Sequence, residues 1–223
     1  MNSPMVVRHL LKLVFRFILL VFAIYFYFTN TRLLGDWFLW LIWVTLAGGM
    51  MLRIFPNKLI PMGARKHNKN SHDPDETTNP PPKSRKGLVL TCLSWFIVTM
   101  ALILTLQQTN LLTSETLLIW TLFLFVLDIV FILFYCPFQH WFMKNQCCTT
   151  CRIYNWDYLM IIAPLIIFPS FFSISLVVLA VIVIIRWEVA LLRFPSRFTA
   201  QTNKNLRCSQ CTDKLCKLKI KPR

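Results

Sequence analysis

Long stretches of apolar residues recur along most of the chain, and they constrain its fold more than any other feature. Runs near 9–29, 37–54, 88–106 and 116–135 are rich in Leu, Ile, Val and Phe. Each is long enough to cross a hydrocarbon layer of about 30 Å as a helix. With 56% hydrophobic residues among 223, a water-soluble fold has no single core large enough to hide them. The bilayer must therefore be the solvent.

The stretch 158–194 needs division. At about 1.5 Å rise per residue it overshoots one crossing nearly twofold, and Pro169, Ser170 and Ser173 sit near its middle. We read it as two short spans, 158–172 and 174–192, turning between Phe168 and Ser173. One long tilted helix is the alternative, and it would leave the two ends of the segment on opposite faces of the membrane.

Charge decides between them. The chain has 24 Lys plus Arg against 9 Asp plus Glu, a formal net charge of +15, and short loops rich in Lys and Arg stay in the cytoplasm. With about six spans, the outer loops 30–36 and 107–115 and the Pro169 turn hold only Arg32 as a basic residue. Arg8, Lys12, Arg16, the cations of 53–86, Lys144, Arg152 and those of 186–223 fall on or near the inner side. A five-span arrangement would export the basic tail, so we set it aside.

The expectation is an all-α integral membrane protein of the cell (inner) membrane, with about six transmembrane helices arranged as three hairpins and both termini cytoplasmic. The hairpins cover 1–54, 88–135 and 158–194. Between and after them come a basic flexible linker at 55–87, a cysteine-rich loop at 136–157 and a cysteine-rich basic tail at 195–223, the last two forming a small cytosolic cap. The first run follows Arg8, Lys12 and Arg16 as a signal peptide would, yet Tyr25-Phe26-Tyr27-Phe28 follows it with no small-residue cleavage site, so it reads as a retained span. Because the cations adjoin apolar runs, their expected partner is the anionic headgroups of the bilayer and not nucleic acid.

On this topology every cysteine lies on the reducing side, where clustered thiolates serve as metal ligands or redox groups more often than as structural disulfides. Cys148 with Cys151, and Cys208 with Cys211, form two CxxC pairs, each able to present two sulfurs to one ion; together they complete a tetrahedral site. The last hairpin returns the chain to the same face and so closes the long gap between the pairs. Cys136, Cys147 and Cys216 remain, with His140 nearby, more ligands than one zinc needs. Cys136 precedes Pro137, as in ferredoxin-type cluster runs, so the cofactor is zinc or an iron–sulfur cluster, in a structural, sensing or electron-transfer role. Lys144, Arg152, Arg207, Lys214 and Lys217 lie close by in sequence and favour thiolates.

Two further readings use the same sulfurs. Adjacent Cys147 and Cys148 suit soft-metal transport or handling, and a CxxC pair suits a membrane thiol–disulfide oxidoreductase. Cys92, near the end of a span, reads as a small hydrophobe. Within the membrane, Arg16, Asp128 and Arg186 fall at comparable depths, where a lone charge is costly; they read as a buried pair or triad, the alternative being separate snorkelling of the arginines. Nucleotide-binding loops, the GxSxG elbow and HExxH are missing from the sequence, so no stand-alone enzyme is indicated.

Overall fold

The computed structural model describes residues 4–29, 35–55, 66–69, 72–74, 86–143 and 151–211. Among these residues six α-helices follow in order: α1 (Pro4–Thr29), α2 (Gly35–Ile54), α3 (Lys86–Gln108), α4 (Ser114–Leu133), a short α5 (Asp157–Ile162) and α6 (Phe171–Arg193). All but α5 are long and apolar enough to cross a membrane. Large side chains such as Leu11, Phe22, Phe96, Ile97, Val178 and Ile185 point outward, which suits a lipid solvent. The protein is a membrane-embedded, multi-pass helical bundle.

The helix ends close their own hydrogen bonds, as they must where water is scarce. Thr113 caps α4 and Ser170 caps α6; in each case the residue three positions on, Thr116 or Ser173, returns a bond to the cap's backbone. After α3 the chain reverses through Asn110 at φ 55°, with Leu111 N–H donating to the Leu106 carbonyl at 2.9 Å and Asn110 N–H to Gln107 at 3.1 Å. That is a Schellman closure with asparagine in the left-handed position.

Helices α1 and α4 pack closely, as do α2 and α6. Among the inward residues of α1, Val6, His9, Leu13, Arg16, Leu20 and Ala23 alternate steps of three and four, with Leu19 widening the stripe, the spacing of a seam along which two helices wrap. On α2 the small pair Gly48-Gly49 lets α5 approach. A Cβ at Gly49 would overlap the Tyr158 hydroxyl, whereas one at Gly48 would meet nothing. Helix α3 is peripheral and is anchored at its start, where a Cβ on Gly87 would come within 2.6 Å of the Phe142 carbonyl oxygen.

The expected span at 158–172 is not a membrane-length helix. The chain there is α5 followed by a 3-10 segment, Ala163–Ile167, and then the Phe168-Pro169 turn. Pro164 supplies no N–H and crowds the preceding turn, so the α ladder stops and the chain tightens. The eleven-residue segment Asp157–Ile167 rises about 19 Å, short of the ~30 Å hydrocarbon thickness. This segment packs between α4 and α6. At one end Asp157 meets Arg53 of α2; at the other, Leu165 and Phe168 share a cavity with Leu39, Trp43 and Glu115. From there α6 runs parallel to α2. The Trp43 indole donates to Ser175 Oγ at 2.8 Å near its start, and Val183 and Trp187 stand beside Ile54 further along.

Candidate functional site

Two buried ion pairs lie at the Arg53 end of the bundle. Arg53 Nη1 and Nη2 donate to the two carboxylate oxygens of Asp157 at 2.6 and 2.7 Å, a bidentate fork. Nη1 also donates to Asn155 Oδ1 at 3.0 Å, and the guanidinium lies 4.5 Å from the Tyr158 ring centroid. Only 4% of the Arg53 side chain is exposed. Such forks are the strong class of charge-assisted hydrogen bond, and burial makes each partner dependent on the other.

The second pair is Arg16 Nη1 with Asp128 Oδ2 at 2.8 Å. Arg16 also donates to the Phe125 carbonyl at 2.6 Å and lies 3.7 Å over that residue's ring. Arg186 takes no part in this pair; it lines a separate space on the far side of Arg53.

Asp128 and Asp157 share one cavity of about 120 Å³, bounded by α3, α4, the π-helical turn Phe138–Phe142 and α5. Cys136, Cys151, Gln139 and Trp95 also line it. A mainly apolar space thus carries two thiols, an amide and two carboxylates, each carboxylate already paired with an arginine behind it. Arg53 and Asp157 escaped the sequence reasoning, which counted Arg53 among the loop cations. Their one signal was an acidic residue at the first turn of an apolar segment in a chain with only 9 acids.

Cys211 lies elsewhere, on a lobe built from 66–69, 72–74 and 195–211. Lys66 Nζ donates to its sulfur at 3.5 Å. The lobe centres on His67, whose ring stacks on Phe198 at 4.6 Å and meets Trp187 edge-on at 5.0 Å. Its Nδ1–H donates to the Arg197 carbonyl at 2.8 Å. Asn203, fully buried, donates to the carbonyls of Lys66 at 3.0 Å and Arg197 at 2.9 Å, and Lys204 N–H donates to the Asp73 carbonyl at 3.1 Å. Nearby, burial and the Arg197 charge push the His72 imidazole below its ordinary range, against a smaller opposing pull from Asp73. The sequence reading treated 55–87 as a linker and had no signal for this docking.

Of the sequence-derived metal ligands, Cys136 and Cys151 come to one cavity and Cys211 lies on the lobe. Cys147, Cys148 and Cys216, and the side chain of Cys208, lie outside the described residues. Among the described residues, no three His, Cys, Asp or Glu side chains are grouped to hold a metal ion. His140 is exposed on the π-helical turn, 5.9 Å from the Tyr135 ring.

Comparison with protein families, with curated proteins and with solved structures finds no match. The reading therefore rests on this geometry and the sequence.

Proposed function

We propose that this is an inner-membrane protein with both termini in the cytoplasm. In this reading 157–193 forms the third of three hairpins, and the thiolates of Cys148, Cys151, Cys208 and Cys211 hold zinc or an iron–sulfur cluster that staples the inner loop to the tail. The role is structural, sensing or electron transfer. Cys136, Cys147 and Cys216 are the reserve ligands.

One observation carries the reading. Tyr154, three residues after Cys151, lies 6.4 Å from Trp187, and Trp187 lies 4.8 Å from Phe198, on the lobe that bears Cys211. Tyr154 and Phe198 thus approach the same α6 residue, which supports a short path between Cys151 and the lobe, and Lys66 brings positive charge to the Cys211 sulfur, which suits a thiolate ligand. Sidedness follows from the cation distribution.

Elemental analysis and an absorption spectrum of anaerobically purified protein test it. One zinc per chain, or iron with sulfide and a brown colour, is the expected result, lost in the double variant Cys148→Ser/Cys211→Ser. Protein that carries no stoichiometric metal overturns the reading. The cavity shared by Cys136, Cys151, Asp128 and Asp157 favours a second reading, soft-metal handling, in which bound copper(I) exchanges rapidly with added chelator and Cys136→Ser slows uptake.

A further inference from the structure

The space on the other side of Arg53 has the opposite character. Arg53, Lys69, Arg186 and Arg197 line it together with His67 and Asn155, and its volume is about 140 Å³. No Asp or Glu is among its described lining residues. Lys69, Arg186 and Arg197, from the 66–69 segment, α6 and the tail, converge there beside Arg53, whose charge Asp157 already matches; three cations facing one space with no acid among its described lining residues is an arrangement that an anion would stabilise.

A second, independent observation points the same way. Arg53 spends Nη1 and Nη2 on Asp157 and Asn155, but its Nε is buried and has no hydrogen-bond partner among the described residues. Buried guanidinium donors are almost always satisfied, and phosphate oxygens are a standard partner for arginine. The space sits at the terminus of α2 beside Ile54, the depth at which headgroups meet protein, and basic pockets between helices at that depth bind lipid phosphate.

We propose that this cavity is a binding site for a phosphate monoester or diester, supplied as the headgroup of an anionic phospholipid or as free phosphate. Exposed Arg186 and Lys69 receive the anion, and Arg53 and Arg197 hold it. No cysteine is among its described lining residues, so the proposal does not depend on whether the thiolates bind metal.

The test uses the full chain. Protein stripped of lipid in neutral detergent is reconstituted in nanodiscs of phosphatidylcholine, with or without phosphatidylglycerol, and retained lipid is counted by native mass spectrometry. Inorganic phosphate is titrated separately by calorimetry. Selective retention of phosphatidylglycerol identifies a headgroup site, and saturable phosphate binding identifies a free-anion site; both uphold the proposal. Arg186→Gln and Arg197→Gln should each weaken the responding probe about tenfold or more. Lys69→Gln, at an exposed position, serves if either fails to fold. Arg193→Gln, on α6 but outside the cavity, should leave binding unchanged. Absence of binding by both probes, or equal loss in Arg193→Gln and Arg186→Gln, overturns the proposal.

Discussion

Replacing Asp157 by Asn tests whether the bundle depends on a buried charge pair. The substitution keeps the shape and one acceptor oxygen but removes the charge opposite an Arg53 that is only 4% exposed. Two fork bonds of 2.6 and 2.7 Å become one neutral contact. The Coulomb attraction lost is about 4 kcal/mol for charge centres ~4 Å apart at an effective dielectric near 20. Breaking one side of a buried pair typically costs about 3–5 kcal/mol, because the remaining charge is left uncompensated. At ~2–4 °C per kcal/mol for a chain of this size, thermal unfolding in detergent, followed by circular dichroism and by monodisperse elution, should shift down by roughly 6–20 °C. Arg53→Met/Asp157→Leu should recover most of that loss, since a packed apolar pair of similar volume is often no less stable than the ion pair. A shift below ~2 °C for Asp157→Asn, or a double variant as unstable as the single one, would refute the reasoning.

Three further outcomes follow from the same packing. Gly49→Ala forces a methyl into the Tyr158 hydroxyl and should cost about 1–3 kcal/mol, while Gly48→Ala, with open space around it, should be neutral or slightly stabilising in the same thermal assay. Asp128→Asn should destabilise less than Asp157→Asn, because it loses a single ionic hydrogen bond where the other loses a two-bond fork, and the Arg16 side chain is 11% exposed against 4% for Arg53; the reverse order of melting temperatures would contradict this. His67→Ala removes the ring held between Phe198 and Trp187, so amide exchange in 195–207 should accelerate while that in α1 and α4 stays unchanged.

The long apolar runs were legible because membrane-length hydrophobicity is a local property, and the five long helices overlie them. Their ends were less so: α3 and α4 begin at Lys86 and Ser114, ahead of the apolar runs, because a helix continues into polar capping residues that hydropathy scores as loop. The stretch 158–172 misled for a related reason. Hydropathy registers Pro164 as one weakly polar residue, yet its missing N–H changes the whole segment. The Arg53–Asp157 fork and the seat of His67 are contacts between residues over a hundred positions apart, and no local pattern encodes such pairings. Cysteine spacing, by contrast, named the candidate thiols readily; what it could not give was that Cys136 and Cys151 border a cavity with two aspartates.

Apart from His9 near its start and Arg16, the facing surface of α1 is built from interchangeable hydrocarbon. Lipid gives little penalty for sliding one such helix along another by two turns, about 10 Å. Arg16 removes that degeneracy, since only one longitudinal setting brings its guanidinium to Asp128. During insertion, the first helix can wait loosely in the bilayer until α4 arrives, and the pair then acts as a vernier mark that fixes the position of α1.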